Sequence, residues 1–214
     1  MKRILCYGDS NAWGHIPASG RRYPDDVRWP GVAAQILGDE YRIIEDSISG
    51  RTTVYEDPHL IGRNGCDCLK YSLLAHLPID LMIIALGSND LKFTDADGSK
   101  KGLLTLVDSV LNAEQLYNLN APLFVDEKRI LLVGPPYING EIESLRPAHS
   151  LAHAAEESHR LSGRIEQAAA EKGCWFVDLS PVAYPSTADC LHLSPEAHRK
   201  VGEVMAAKIL EILG

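Results

Sequence analysis

Short apolar segments alternate with longer segments of helical periodicity along almost the whole chain. The predicted strands are Arg3–Tyr7, Tyr41–Asp46, Ile79–Leu86, Arg129–Val133 and Trp175–Asp178. The predicted helices are Trp29–Leu37, Leu103–Asn118, Glu143–Lys172 and Ser194–Leu213. Within Glu143–Lys172, Pro147 is expected to start the regular part of the helix. Such alternation favours a parallel sheet with helices on both faces, joined by right-handed crossovers. We therefore predict an α/β fold, a three-layer α/β/α sandwich with a five-stranded parallel sheet of flavodoxin-like topology.

Length and charge restrict the classes of function. A chain of 214 residues predicts one domain over residues 1–214. The net charge of −8 disfavours nonspecific binding to nucleic acid and docking to an anionic membrane. No apolar run approaches the roughly 20 residues that span a bilayer, and the apolar run at the N-terminus is too short for a signal peptide. Five cysteines, an odd number, fit a reducing compartment, so we expect a cytoplasmic protein.

Polar residues that can support catalysis follow several predicted strands. In doubly wound sheets, ligands bind outside the carboxyl ends of the strands. Ser10 follows the first strand, and its hydroxyl needs a base to become a useful nucleophile. His192 is the best candidate for that base, and Asp189, three residues earlier, could orient the imidazole. The simpler alternative is that Asp189 only satisfies backbone donors at the start of the last helix.

A nucleophilic serine also requires donors for the oxyanion of the tetrahedral intermediate. The Asn89 side-chain amide and the backbone N–H groups of Ser10 and Gly50 are the candidates. The alternative is that Gly87–Asp90 and Ser49–Arg51 are ordinary turns, in which Gly, Asn, Asp and Ser are common.

The order of these motifs resembles that of the SGNH/GDSL serine hydrolases. The four blocks are Gly8-Asp9-Ser10-Asn11, Gly50, Gly87-Ser88-Asn89-Asp90 and Asp189-x-x-His192. Further segments resemble the mycobacterial arylesterase/acyltransferase subgroup: Gly8–Gly14, Asp26–Val32, Ser49–Thr53 and His76–Leu81.

This resemblance implies an esterase that acts on small acyl or aryl esters, with acyl transfer to alcohols or peroxide. It also implies Ser10 as nucleophile, His192 as base, Asp189 as its orienting partner, and Ser10, Gly50 and Asn89 as oxyanion donors. The resemblance also implies a homo-oligomer, and it implies no cofactor.

The first block departs from the family pattern, because Asn11 stands where Leu is usual. Gly50 is the common residue of the wider family, whereas the acyltransferase has Ala there. For the substrate pocket we predict Trp13, Leu191 and Tyr137, with core packing as the alternative for each.

Other possible sites are weaker. Cys66-x-Cys68, placed in a predicted loop, lacks a second pair of zinc ligands, and His149 and His153, placed on one helix face, lack the glutamate of a zinc-protease motif. We therefore predict no metal. Two other functions stay open: a deacetylase of carbohydrate or other natural esters, and a noncatalytic α/β module that binds an anion through backbone N–H groups.

Overall fold

The computed structural model describes all residues from 1 to 214. Its centre is one sheet of five parallel strands in the order β2-β1-β3-β4-β5. The strands are β1 (Lys2–Gly8), β2 (Tyr41–Ser47), β3 (Leu81–Ala85), β4 (Ile130–Gly134) and β5 (Trp175–Asp178). This is the flavodoxin-like order, so the predicted fold class is confirmed.

Eight α-helices and one 3₁₀ helix connect and cover these strands. The α-helices are α1 (Ser10–Trp13), α2 (Trp29–Leu37), α3 (Gly65–His76), α4 (Ala96–Leu111), α5 (Ala113–Leu116), α6 (Ile142–Leu145), α7 (Ala155–Lys172) and α8 (Pro195–Leu213). The 3₁₀ helix, Ser88–Lys92, follows β3 directly. No helix is both long enough and apolar enough to cross a bilayer.

Side chains on successive strand residues point to opposite faces, and this divides the core into two parts. In β1, Leu5 and Tyr7 belong to the larger part, which packs under α3, α4 and α7. Ile4 and Cys6 belong to the smaller part, under α2 and α8. The near-continuous apolar runs of β1, β3 and β4 follow from burial on both faces.

Two predicted helices were wrong in their extent. The predicted helix Leu103–Asn118 begins earlier, at Ala96, because the Asp95 side chain caps it by accepting from the Gly98 N–H at 2.8 Å. The predicted helix Glu143–Lys172 is interrupted between α6 and α7. Pro147 has no N–H to donate and disfavours helical geometry in Arg146, whose φ and ψ are −139° and 58°.

Two predicted placements of side chains are also wrong. His149 and His153 lie in the turns between α6 and α7 and not on a shared helix face. Cys66 and Cys68, expected in a loop, lie in the first turn of α3, where the Asn64 side chain accepts from the Cys66 N–H. All five cysteines are free thiols.

The carboxyl ends of the first three strands along the chain, β1, β2 and β3, are adjacent. Gly8 at the end of β1 pairs with Ser47 of β2 on one side and with Ala85 of β3 on the other. A Cβ on Gly8 would lie 2.6 Å from the Ala12 Cβ, so only glycine lets α1 turn back this closely over the strand end. The segments that follow these strands are thereby brought to one rim of the sheet.

Candidate active site

Ser10 is the first residue of the short helix α1, directly after β1. Asp9 is the N-cap, and its side chain accepts from the Asn11 N–H at 3.0 Å. As the first helical residue, Ser10 has no intrahelical acceptor for its own N–H. Gly14 ends the helix with φ 87°, a conformation that favours glycine. Ser10 is thus held at the rim by a capped turn with a free N–H group.

Asp189 and His192 lie in a tight turn before α8. One carboxylate oxygen of Asp189, Oδ1, accepts from the backbone N–H groups of Leu191 (3.1 Å) and His192 (3.0 Å). The other oxygen, Oδ2, accepts from the Ala18 N–H at 3.0 Å and from His192 Nδ1 at 2.7 Å. Asp189 therefore does both things considered for it, because its carboxylate satisfies backbone donors in the turn and also contacts the imidazole.

The three side chains form one hydrogen-bonded chain. Because an ionised carboxylate can only accept, Nδ1 of His192 carries a hydrogen and Nε2 is left as an acceptor. Nε2 lies 3.0 Å from Ser10 Oγ, a distance at which the hydroxyl donates to the ring. The nucleophile and base candidates are 182 residues apart in sequence, and the fold brings them into direct contact.

Asp189 is ionised in this arrangement. Burial by itself would raise its pKa, since only 1% of the residue is exposed. Hydrogen bonds from the His192 ring and from the His192 and Ala18 N–H groups outweigh burial and hold the pKa of Asp189 well below its usual range. A charged carboxylate beside Nδ1 favours the imidazolium that forms when His192 takes a proton.

The three proposed oxyanion donors face one cavity, which Ser10, Gly50 and Asn89 all line. The Gly50 N–H donates to no acceptor within the protein. The Asn89 side-chain amide contacts only Asp9 Oδ2, at a long 3.4 Å. Together with the free Ser10 N–H, these groups leave three donors available to a bound ligand.

Arg63 fixes the orientation of the peptide unit before Gly50. Its Nε donates to the Ser49 carbonyl at 2.7 Å. In a trans peptide the C=O and the following N–H point in opposite directions, so the Gly50 N–H points away from Arg63. Gly50 has φ 85°, which suits glycine.

A buried carboxylate joins the segments that carry Gly50 and Asn89. Asp90 is fully buried and accepts from the Thr53 N–H at 2.8 Å, from the Thr53 hydroxyl at 2.6 Å and from the Ser99 hydroxyl at 3.1 Å. Burial raises the pKa of Asp90 to about 6, although these hydrogen bonds oppose the rise. The segment after β2 is thereby tied to the 3₁₀ helix after β3.

The cavity at this rim has a volume of about 490 Å³ and a mixed wall, in which polar side chains stand beside five hydrophobic residues. Besides the triad and oxyanion candidates, the wall includes an ion pair between Lys92 Nζ and Asp57 Oδ2 at 3.1 Å. Arg63 also lines it, and its guanidinium donates to the Ser49 and Ile61 carbonyls and has no carboxylate partner. Such a wall can contact both polar and apolar groups of a ligand.

Of the three predicted pocket residues, the structure brings only Leu191 to the cavity. The Trp13 ring lies beside the Arg22 guanidinium, 5.3 Å from ring centroid to Cζ, and does not line the cavity. Tyr137 packs on the His159 ring, 4.2 Å between centroids, and is also outside the lining. Three places along a helix leave two residues on the same face, so the position of Trp13 follows from its packing against Arg22 and the His15 ring, 6.0 Å between ring centroids, and not from the helix itself.

Comparison with known proteins agrees with this geometry. The family model for GDSL-like lipases and acylhydrolases matches residues 6–200. The chain belongs to this family. Among solved structures, the M. smegmatis aryl esterase is 30% identical with a TM-score of 0.88, and both chains are covered in full. Est24, a carbohydrate acetylesterase from Sinorhizobium meliloti, is 31% identical with a TM-score of 0.88, again over all of both chains. A search of curated proteins finds no match.

Within this GDSL-like hydrolase, one group of side chains has the composition of a metal site. His15, Asp189 and His192 offer ligand atoms within 4.8 Å of one another. However, the two imidazoles are stacked, with ring centroids 3.9 Å apart and planes inclined by only 24°. Their lone pairs lie in nearly parallel planes and cannot converge on one ion, as tetrahedral coordination requires. The group fits a hydrogen-bonded triad with a stacked neighbour better.

Two residues of this site escaped the sequence reasoning. Asn11 stood out only as a departure from the family motif, and His15 not at all. In the structure, both contact the segment that carries His192. Their position within five residues of Ser10 is the only sequence signal that could have indicated them.

Proposed function

We propose that this chain is a serine esterase that hydrolyses small acyl or aryl esters through an acyl-enzyme intermediate. The proposed roles are Ser10 as nucleophile, His192 as general base and acid, and Asp189 as the residue that orients and charges the imidazole. The Ser10 and Gly50 N–H groups and the Asn89 amide are the proposed oxyanion donors. Water, an acceptor alcohol or peroxide takes the acyl group in the second half of the reaction.

In the first half, Ser10 Oγ attacks the ester carbonyl carbon while its proton moves to His192 Nε2. The carbonyl oxygen becomes an oxyanion, which the three donors stabilise. The bond to the leaving oxygen then breaks, and His192 Nε2 returns the proton to that oxygen. In the second half, His192 deprotonates the acceptor, which attacks the acyl carbon, and Ser10 is released with its proton restored.

The observation that carries this proposal is the contact of Ser10 Oγ with His192 Nε2 at 3.0 Å, together with the 2.7 Å contact of Nδ1 with Asp189. A noncatalytic anion-binding module would have no need for an imidazole nitrogen directed at a serine hydroxyl. Family membership and the esterases among the similar structures support the same class of reaction.

Replacement of the nucleophile tests the proposal. We expect Ser10→Ala to abolish both p-nitrophenyl acetate hydrolysis and labelling by a fluorophosphonate probe, while the thermal midpoint stays near that of the parent. Ser144→Ala is the matched control, because Ser144 is an exposed serine of α6, remote from the cavity lining, and should keep full activity and labelling. Hydrolysis by Ser10→Ala at the parental rate, or a label mapped to another serine, would exclude the mechanism.

The polar side chains in the cavity wall favour one second candidate within the same chemistry, the deacetylation of carbohydrates. Hydroxyl groups of a sugar could exchange hydrogen bonds with Asp57, Lys92 and other polar wall residues, whereas an aryl leaving group would gain little from them. The S. meliloti carbohydrate acetylesterase among the similar structures agrees with this candidate.

A substrate panel separates the two candidates. Acetylated xylose, short aryl esters and lysophospholipids would be compared by kcat/KM on one preparation, with the concentration of active sites measured by fluorophosphonate titration. A higher kcat/KM for acetylated xylose than for aryl acetates, despite the poorer leaving group, would favour carbohydrate deacetylation. The reverse order would favour the aryl esterase.

A further inference from the structure

The Asn11 side chain hydrogen-bonds to the backbone on both sides of His192, and we call this pair of contacts the backbone bracket. Its Nδ2 donates to the Leu191 carbonyl at 3.4 Å, and its Oδ1 accepts from the Leu193 N–H at 3.2 Å. Leu191 and Leu193 are the residues on either side of His192. A side chain from the residue next to the nucleophile therefore holds the backbone of the base on both sides.

His15 covers one face of the His192 ring. The two ring centroids are 3.9 Å apart. His15 reaches this position because Gly14 ends α1 in a left-handed conformation and because the His15 N–H donates to the Ser10 carbonyl at 3.0 Å. Its buried Nδ1 has no hydrogen-bond partner, so the ring contributes here through its face.

Hydrogen bonds alone leave the orientation of the base incompletely determined. The contacts with Asp189 and Ser10 lie at the edge of the imidazole, and a ring held only at its edge can still tilt about the line that joins its two nitrogens. A stacked neighbour restricts that tilt, and the backbone bracket restricts displacement of the whole residue. A displacement of about 1 Å at a catalytic group can reduce turnover by about 100-fold.

We propose that Asn11 and His15 are positioning residues that keep the His192 ring in contact with the Ser10 hydroxyl. The inference rests on the proposed function, since it requires His192 to act as the base. Asn11 sets where the backbone of His192 lies, and His15 sets the plane of its ring. Both come from the segment directly after the nucleophile, so the acid-base group and the attacking oxygen are held by one short piece of chain.

The charge state of the His15 ring also suits this role. Burial lowers its pKa to about 4, with smaller contributions from His192 and Arg146 in the same direction and an opposing contribution from Asp189. At neutral pH the ring is therefore uncharged. A neutral aromatic face can stabilise the imidazolium that forms on His192 during catalysis, whereas a second charged ring would repel it.

The test compares Asn11→Ala, His15→Ala and His15→Phe in the full chain with p-nitrophenyl acetate as substrate. Mispositioning of the base should lower kcat by about 10-fold or more in both alanine variants, with KM within about 2-fold of the parent. His15→Phe keeps a stacking face without a ring nitrogen and should recover kcat to within about 3-fold of the parent. In the double alanine variant, the combined loss should be smaller than the product of the single losses, since both residues act through His192.

His159→Ala is the matched control, because it removes an imidazole that stacks on an aromatic ring outside the cavity. Full kcat in Asn11→Ala and His15→Ala would overturn the proposal, as would a loss confined to KM or a Phe variant as impaired as the Ala variant. Should Asn11→Ala unfold, Asn11→Asp tests the same bracket, since it keeps the acceptor for the Leu193 N–H but cannot donate to Leu191. Fluorophosphonate labelling of Ser10 in the parent separates these outcomes from failure of the proposed function.

Discussion

Asp9 is a carboxylate that folding buries beside Ser10, and its replacement by Asn should stabilise the protein at neutral pH. Only 7% of Asp9 is exposed, and burial raises its pKa from 3.8 to about 6, although the Asn11 N–H and the nearby positive charges oppose the rise. The folded chain therefore holds this proton more tightly than the unfolded chain does. Stability from this group is complete below pH 3.8 and is lost as the pH rises through 6.

The size of the loss follows from the pKa difference. About 1.4 kcal/mol for each pKa unit gives a cost of about 3 kcal/mol once Asp9 is fully charged. Asn is as good an N-cap as Asp, so Asp9→Asn keeps the hydrogen bond from the Asn11 N–H. The new amide would then direct its NH₂ group at the Asn89 amide, which removes part of the gain. We expect a net stabilisation of about 1–3 kcal/mol at pH 8 and almost none at pH 4.

Urea unfolding of the parent and Asp9→Asn between pH 4 and pH 8 measures this difference. Asp126→Asn is the control, because Asp126 is exposed in a loop and its replacement should change the unfolding free energy little at any pH. The reasoning would be refuted if Asp9→Asn were less stable than the parent at pH 8, or if its advantage were the same at all pH values.

Two further predictions concern the oxyanion site and a buried histidine. Asn89→Ala should lower kcat for p-nitrophenyl acetate by about 100- to 1000-fold with the fold intact, because it removes one proposed oxyanion donor, and a loss below about 3-fold would remove Asn89 from that role. Burial lowers the pKa of His198 from 6.5 to about 4, so its contribution to stability is complete above pH 6.5 and is lost as the pH falls towards 4. His198→Gln should therefore flatten the fall in unfolding free energy over that range by up to about 3 kcal/mol, and an unchanged slope in urea titrations would contradict this.

The fold was predictable because its signals are local. Burial on both faces makes strands such as Leu81–Ala85 nearly continuous in apolar residues, and Ser194 with Pro195 marks the start of α8. Helix limits depended on contacts that periodicity does not encode. The start of α4 follows from the Asp95 side chain, and the interruption before α7 follows from Pro147.

The site was predictable where chemistry restricts the residue type, and not where packing decides. Ser10, Asp189 and His192 could be proposed from strand ends and residue chemistry, and the structure brings them into contact. Trp13 was expected at the cavity because of its distance in sequence from Ser10, but its ring packs beside Arg22, outside the cavity lining. The stack of His15 on His192 depends on the left-handed conformation of Gly14 and on where folding places the turn that carries His192. No local sequence pattern predicts this contact.

The separation of 182 residues between the serine and the imidazole has a consequence for synthesis of the chain. When Ser10, the proposed nucleophile, leaves the ribosome, the imidazole that is proposed to activate it has not yet been translated. The nascent polypeptide should therefore lack esterase activity until the turn that carries His192 has been made and α8 has packed against α2. Turnover by this protein would report that the last helix has been made and has docked, so an activity assay on stalled or truncated translation products would double as a measure of completed folding.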